Sequence, residues 1–284
     1  HVICVDYAYS WTKKLLGPFL GKYNVEVTFI DGRDPESLAK AWKQNTTLLY
    51  LESPTSITFE CHDIAHFVAE AKKRGVATIL DNTYGSLLNH YPVELGVDMI
   101  VHSATKFISG HSDVVGGVVC ASASRISSIF MAEYMTLGAS MSPNDAWLLI
   151  RSLRTFEIRM RQAEIQAKTI SDYLENHPGV KAVHDPFQES HPDHRLALKQ
   201  FSVRIPMFSF ELNTDKKEVV EAFCNSLKYI RLAVSWGGYE SLLLPATVFP
   251  HDLYSVSLMR LYIGLEHSDL LISDFENAFK NSGL

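Results

Sequence analysis

The stretch that decides the fold is residues 76–106, which read VATILDNTYGSLLNHYPVELGVDMIVHSATK. Its two apolar runs, Val76–Leu80 and Val97–Val101, are predicted strands, and polar residues follow each of them at once. Asp81 comes directly after the first strand, and Lys106 follows the second. Because ligands of open α/β sheets bind beyond the carboxyl ends of the strands, Asp81 and Lys106 are candidate site residues.

Alternating strands and helices extend from this stretch in both directions. Further apolar runs of strand length are Val2–Val5, Glu26–Ile30, Thr47–Leu51 and Val114–Cys120. Helical patterns lie between them at Pro35–Gln44, Ile64–Arg74 and Arg125–Tyr134. This alternation predicts an α/β fold with a mostly parallel sheet that is covered on both sides.

The pattern changes in the second half of the chain. Ser142 and Pro143 form a helix start, and the helical pattern continues to about Asn176, long enough to break or to connect two domains. The strands predicted beyond it are Val180–His184, Met207–Leu212, Ile230–Ser235 and Leu258–Ile263, with helices at Lys216–Leu227 and Ser268–Lys280. We therefore expect a large domain in residues 1–150, and a connecting helix with a smaller α+β domain in residues 151–284.

Composition excludes several classes of function. The net charge of −6 provides no basic surface for nucleic acid or for a membrane. No apolar run has the length of about 18 residues that a membrane-spanning helix needs. Four dispersed cysteines argue against disulfides and a zinc site and favour a reducing cytoplasm. His62 and His66 are interpreted as surface histidines and not as a metal pair. The chain opens with His1 inside a strand-like run, so we expect its beginning to be missing.

Asp81 and Lys106 each have an ordinary structural interpretation. Asp81 suits a helix N-cap or turn, and Lys106 suits a solvated loop. Together they match the needs of pyridoxal 5'-phosphate (PLP), which uses a lysine for a Schiff base and an acid beside its pyridine nitrogen. Ser103 and Thr105 flank the lysine as hydroxyl donors that suit a phosphate.

A longer string around Lys106 reads HSATKFISGHSDVVGG, from His102 to Gly117. It resembles the PLP-dependent enzymes of Cys/Met metabolism, the trans-sulfuration enzymes. Further matching pieces follow one order along the chain: Tyr50–Pro54, Leu80–Thr83, Ser235–Ser241 and Arg260–Glu266. The resemblance implies the type I fold of PLP-dependent transferases, a mostly parallel large domain with a smaller α+β C-terminal domain.

The resemblance also implies roles for cofactor-binding residues. Lys106 would carry PLP and move protons once substrate frees it. Asp81 would pair with the pyridine nitrogen, and Tyr9 would stack on the ring and help proton transfer. Ser103 and Thr105 would bind the phosphate. Family members carry a further phosphate-binding segment before the point at which this chain begins. Without that segment the site would lack phosphate ligands and would bind PLP poorly or not at all, and with it the enzyme would be intact.

The substrate is expected to contact three other residues. Arg260 stands in an otherwise apolar strand, where a salt bridge is the structural alternative because an unpaired buried guanidinium is costly. In the family this arginine would clamp the substrate α-carboxylate, for which its forked donors are suited. Ser235 would support the same carboxylate, with Trp236 beside it.

At two positions the sequence differs from the γ-acting enzymes of the family and resembles the bacterial cystathionine β-lyases. Trp236 stands where γ-synthases and γ-lyases usually have leucine, and Ser56-Ile57 stands where they usually have Asn-Pro. Val234 replaces a glutamate of several γ-acting members, although methionine γ-lyases also tend to have valine there. The resemblance implies cleavage of cystathionine to homocysteine, pyruvate and ammonia.

Alternative functions remain open at this point. Within the family they are methionine γ-lyase, cysteine desulfhydrase, cystathionine γ-synthase and O-acylhomoserine sulfhydrylase. A PLP-free, catalytically silent homologue is the alternative outside enzymes. Family members usually form homotetramers from catalytic dimers, so the resemblance implies a homo-oligomer, a small sulfur amino acid as substrate, and no nucleic-acid or membrane partner.

Overall fold

A computed structural model describes residues 1–249 and 254–284 of the protein. These residues form two compact units. One contains His1–Ser56, Glu60–Ala104 and Val115–Ala146, and the other contains Ile57–Phe59, Thr105–Val114 and Trp147–Leu284. The domain boundary expected between residues 150 and 151 stays a prediction.

The first unit contains a six-stranded sheet with the strand order β2-β1-β3-β4-β5-β6. Its strands are β1 (Val2–Val5), β2 (Val27–Ile30), β3 (Leu48–Glu52), β4 (Ala77–Asp81), β5 (Met99–Ser103) and β6 (Gly117–Ala121). All neighbouring pairs are parallel except β5 and β6, which are antiparallel. The predicted α/β fold with a mostly parallel sheet is therefore confirmed.

Helices connect the strands of the first unit. They are α1 (Ser10–Lys14), α2 (Pro35–Ala41), α3 (Ile64–Lys73), α4 (Ser86–Asn89), α5 (Ala123–Ile129) and α6 (Met135–Leu137). Two begin at aspartate caps: the Asp34 carboxylate accepts the Glu36 N–H before α2, and the Asp63 carboxylate accepts the His66 N–H before α3. The fully buried side chains of Ile3 and the neighbouring strands form the core between sheet and helices.

The interpretation of His62 as a surface histidine is wrong. Its side chain is buried, and Nδ1 lies 2.8 Å from the carbonyl oxygen of Glu52. It precedes the first residue of α3, so it does not share a helical face with His66. The sequence predicted the start of this helix at Ile64 correctly, but it does not show that His62, before the cap, packs against the end of β3.

The second unit contains a five-stranded sheet with the order β7-β8-β11-β10-β9. Its strands are β7 (Val180–His184), β8 (Met207–Leu212), β9 (Arg231–Leu232), β10 (Leu242–Pro245) and β11 (Leu258–Tyr262), and its helices are α7 (Pro143–Leu153), α8 (Phe156–Glu175), α9 (His194–Gln200), α10 (Lys217–Ser226) and α11 (Ser268–Ser282). Only β9 and β10 pair in parallel. Stacked and edge-on rings of Phe210, Phe223, Phe275 and Phe279 fill the core.

The long helical pattern from Pro143 breaks between α7 and α8, at Arg154 and Thr155. Thr155 has a φ of −112° and a ψ of 6°, and its hydroxyl donates to the Ser152 carbonyl at 3.2 Å. Serine and threonine side chains compete with the helical hydrogen bonds of the backbone in this way. The break matters for function because Ser152 and the first turn of α8 contact the segment that carries Lys106.

None of the helices in the described ranges, 1–249 and 254–284, is both long and apolar enough to span a bilayer.

Candidate active site

In the first unit, the carboxyl group of Asp81 lies at the carboxyl end of the central strand β4. The backbone N–H of Thr83 donates to Asp81 Oδ1 at 3.0 Å, and the Thr83 hydroxyl donates to the same oxygen at 2.5 Å. The Tyr50 hydroxyl donates to Oδ2 at 3.4 Å. Three donors from two elements therefore hold this carboxyl in one orientation.

Thr83 also connects Asp81 to the next strand. Its hydroxyl oxygen accepts the backbone N–H of Ser103, the last residue of β5, at 2.8 Å. Two of the predicted cofactor residues, Asp81 and Ser103, are thus brought together through a residue that the sequence did not single out. A threonine two positions after an aspartate is a common turn pattern, so a weak signal for it was present.

Glu52 lies beside Asp81, because these two residues are register partners at the ends of β3 and β4. Its side chain is buried, accepting the Tyr9 N–H at 2.9 Å on Oε2 and the Ser56 hydroxyl at 2.9 Å on Oε1. Burial, and then the negative charge of Asp81, raise the pKa of Glu52 to about 8. Burial likewise raises the pKa of Asp81, although its hydrogen bonds from Thr83 and Tyr50 lower it.

Tyr9 is fixed by its backbone and not by its ring. Its N–H is the group bound to Glu52, and α1 begins at the next residue. The side chain is 52% exposed. The structure therefore leaves the ring accessible at the position where the sequence predicts a stacking partner.

In the second unit, Lys106 lies in a single turn outside the sheet, closed by the Gly110 N–H donating to the Lys106 carbonyl at 2.8 Å. Its half-buried amine donates to the Ser235 hydroxyl at 2.7 Å and lies 5.3 Å from the centre of the Trp236 ring. Burial, and then the positive charge of Arg260, lower the pKa of Lys106 to about 8. The neutral amine, which is the form that can act as a nucleophile or base, is therefore more accessible near neutral pH than it is for an ordinary lysine.

Arg260 lies in the fully buried strand β11 and points toward the loop that carries Ser235. Its Nη2 donates to the carbonyl oxygens of Val234 at 2.6 Å and Ser235 at 3.3 Å. The structure thus brings together all three predicted substrate residues, Arg260, Ser235 and Trp236, around the amine of Lys106. Thr105 lies directly before Lys106 in the same unit and is partly buried.

Close approach of the loop to Lys106 requires glycine at position 237. Gly237 has a φ of +92°, which side chains rarely adopt. A Cβ there would lie 2.8 Å from Lys106 Cα and 2.8 Å from its carbonyl carbon. The Ser-Trp-Gly-Gly sequence therefore allows Ser235 and Trp236 to reach the lysine.

Comparison with known protein families gives a match over nearly the whole chain. The family model for "Cys/Met metabolism PLP-dependent enzyme" matches residues 1–280. The chain belongs to this family. PLP is therefore its cofactor, as the sequence predicts.

Relatives with different activities are about equally similar. The cystathionine beta-lyase of Bacillus subtilis is 34% identical, over 99% of this chain and 74% of the relative. The L-methionine gamma-lyase of Porphyromonas gingivalis is 37% identical, over 98% of this chain and 72% of the relative. A crystal structure of cystathionine gamma synthase from Xanthomonas oryzae pv. oryzae in complex with cystathionine aligns with a TM-score of 0.93 at 33% identity, over 99% and 75% of the chains. The family thus supports carbon–sulfur chemistry on amino acids without distinguishing among these activities.

The side chains present fit PLP chemically. Asp81 offers a carboxyl group whose pKa is raised by burial, and a cationic ring nitrogen beside it would favour its ionised form. Lys106 offers an amine whose lowered pKa suits attack on an aldehyde. A carboxyl group and an amine are the two kinds of group that the cofactor needs.

Proposed function

We propose that this protein is a carbon–sulfur lyase that converts cystathionine and water into homocysteine, pyruvate and ammonia by α,β-elimination. The observation that carries the proposal is the position of Trp236. Its buried ring lies 5.3 Å from the Lys106 amine and 5.1 Å from the ring of Phe107. This is the residue by which the sequence is similar to β-lyases, and it contacts the predicted catalytic lysine.

In this proposal Lys106 binds the cofactor and then acts as the base. PLP, when bound, supplies an electron sink for the substrate α-carbon. The Lys106 Nζ would take the proton from the substrate α-carbon, which is general base catalysis. The Ser235 hydroxyl holds this amine at 2.7 Å and limits the positions it can reach.

Arg260 and Ser235 are proposed to bind the substrate α-carboxylate. A guanidinium presents parallel donors that match the two oxygens of a carboxylate, and such charge-assisted bonds are about twice as strong as neutral ones. The two carbonyl groups that Arg260 contacts fix its orientation before substrate arrives. Preorganisation of this kind lowers the cost of binding.

Asp81 is proposed to bind the ring nitrogen of the cofactor, with Thr83 and Tyr50 holding its carboxyl group. Tyr9 is proposed to stack on the ring, which its 52% exposed side chain permits. Ser103 and Thr105 are proposed to contact the phosphate. These assignments follow from the family resemblance together with the position of each residue at a strand end or beside Lys106.

Product analysis tests the proposed reaction. The purified protein is incubated with PLP and with cystathionine, methionine or cysteine in separate reactions. Pyruvate and homocysteine in equal amounts from cystathionine, faster than any product from the other two substrates, would support the β-lyase. No pyruvate from a folded protein that has bound PLP would overturn it.

Methionine γ-lyase is the second candidate, favoured by Val234 and by the relative from Porphyromonas gingivalis. The Val234 side chain is 74% exposed, and only its carbonyl contacts Arg260. A γ-lyase would release 2-oxobutyrate and methanethiol from methionine. The same product analysis therefore separates the two candidates.

Homo-oligomers and a cytoplasmic location are proposed on the family resemblance. In the second unit, the large apolar side chains of Trp147, Ile150 and Ile158 are each more than half exposed, at 59%, 61% and 71%. Trp147 and Ile150 lie three positions apart in α7 and therefore share one helical face, and contiguous exposed apolar faces are typical of surfaces that associate. This supports the homo-oligomer and does not specify the number of subunits.

A further inference from the structure

We infer that Arg159, in the first turn of α8, is a positioning residue for Lys106, because its guanidinium fixes the backbone turn that carries the amine. This inference rests on the proposed role of Lys106 and deepens it. All contacts that support it lie within the second unit.

The turn after Lys106 is built around Arg159. Nη1 of Arg159 donates to the Phe107 carbonyl at 3.2 Å. Gly110 closes the turn with a φ of +63°, and a Cβ there would lie 1.7 Å from Arg159 Nη1. Glycine is therefore needed for the backbone conformation and also for the space that the guanidinium occupies.

Ser152, at the end of α7, extends the same set of contacts. Arg159 Nη2 donates to the Ser152 hydroxyl at 2.9 Å and to its carbonyl at 3.2 Å. The Ser152 hydroxyl in turn donates to the Ser109 carbonyl. Two carbonyl groups of the turn, at Phe107 and Ser109, are thus bound by side chains on either side of the break between α7 and α8.

Ring packing restrains the Phe107 side chain within the same turn. The Phe107 ring lies 5.1 Å from Trp236 and 6.1 Å from Tyr262, centre to centre. The Tyr262 hydroxyl donates to the Gly238 carbonyl at 2.6 Å, in the loop that bears Ser235. The residue next to Lys106 is thus held by both its side chain and its carbonyl, and the Lys106 amine donates to Ser235 at 2.7 Å.

A charged donor is suited to this task. Hydrogen bonds from a charged group to a carbonyl contribute more than neutral ones, and the planar guanidinium reaches several acceptors at once. Burial lowers the pKa of Arg159, because burying a charged guanidinium costs free energy. A neutral side chain could make a purely structural contact without this cost. The geometry thus fits a residue that positions Lys106.

The test compares Arg159→Met with Arg161→Met in the full chain. Arg161 lies on the same helix, but its exposed side chain pairs only with Glu157, at 2.8 Å, among the described contacts. Three readouts are taken: the rate at which added PLP produces a visible band that borohydride bleaches, the pH midpoint of that band, and kcat and KM for cystathionine. Guanidinium chloride is added at a non-denaturing concentration to test whether it restores part of the rate of the Arg159→Met variant.

The inference predicts that Arg159→Met slows PLP capture and lowers kcat by about 10-fold or more, which corresponds to loss of about one charged hydrogen bond. KM should change by less than about 3-fold, the pH midpoint should move, and guanidinium should restore part of the rate. Arg161→Met should match the wild type. Where Arg159→Met does not fold, Arg159→Lys and Ser152→Ala should show the same changes at smaller size.

Equal PLP capture, pH midpoint and kcat in the Arg159 and Arg161 variants would overturn the inference. A loss of thermal stability in the Arg159 variants without a shifted midpoint or guanidinium rescue would also overturn it, because a merely structural role predicts that pattern. Failure of the wild type to produce pyruvate concerns the proposed reaction alone, since PLP capture is measured without substrate.

Discussion

The candidate site residues of the two units are ionisable groups of opposite kinds, and burial changes their pKa values in opposite directions. In the first unit, burial raises the pKa of Glu52 and Asp81, which favours neutral carboxyl groups. In the second unit, burial and Arg260 lower the pKa of Lys106, which favours a neutral amine. In both units burial therefore works against the charged form of these groups. A cationic ring nitrogen and an anionic carboxylate are the complementary ligands that reverse these shifts.

Burying a charged group costs free energy in both units, and this cost serves a different purpose in each. A raised carboxyl pKa prepares Asp81 to gain from a cation, and a lowered amine pKa prepares Lys106 to act as nucleophile and base near neutral pH. Four substitutions test the two sides of the comparison.

Lys106→Ala should have the largest effect. Removing the amine removes the covalent attachment and the proposed base together, so pyruvate formation should become undetectable. Added PLP should give no visible band that borohydride bleaches. A variant that keeps the band would show that another lysine binds the cofactor.

Asp81→Asn should lower kcat by about 100-fold or more, because removal of one preorganised electrostatic partner costs that much in other enzymes. The amide keeps the size of the side chain and can still accept from Thr83. The measurement is kcat for cystathionine at saturating PLP. A kcat within a few fold of the wild type would contradict the proposed pairing with the ring nitrogen.

Arg260→Met should raise KM for cystathionine by about 10- to 100-fold, since charged hydrogen bonds contribute about 1.5–3 kcal/mol. It should also raise the pKa of Lys106, whose value of about 8 partly depends on this positive charge. PLP capture, which needs the neutral amine, should then shift to higher pH. Arg260→Lys is the matched control: it should raise KM but leave the pH profile nearly unchanged, because it keeps the charge without the fork.

Glu52→Gln should have the smallest effect, visible in the apoprotein. A carboxyl group whose pKa is raised on folding binds more protons in the native state, so stability falls as pH rises from 4.5 toward about 8. The amide cannot ionise, so the free energy of unfolding of the variant should fall less over this pH range than that of the wild type, by on the order of 1 kcal/mol or more. Urea unfolding at several pH values measures it, with the exposed Glu36→Gln as control. Parallel stability profiles for Glu52→Gln and the wild type would be the contrary result.

Much of the fold followed from local patterns. Six predicted strands of the first unit are present, since runs such as Val2–Val5 are apolar on both faces and strands buried on both faces need that pattern. Strand β10 was missed, because its four residues end in proline and directly follow a glycine-rich loop. The predicted strand Ile230–Ser235 is reduced to Arg231–Leu232, since the following residues form the loop over Lys106.

The site was predictable where a charge stood out from an apolar context. Arg260 in its apolar strand was recognisable in this way, and Glu52 at the end of the apolar run from Thr47 offered a similar signal that was not used. Thr83, Ser152 and Arg159 were missed because their roles depend on partners 20 to 52 positions away in the sequence. Only tertiary structure brings such partners together.

Borohydride trapping with peptide mapping tests the central claim most directly. The protein is mixed with PLP, reduced with borohydride, digested and analysed by mass spectrometry. The account predicts a phosphopyridoxyl group on the peptide that contains Lys106, with no other lysine modified to a comparable extent. A label on another lysine, or no label on folded protein, would contradict it.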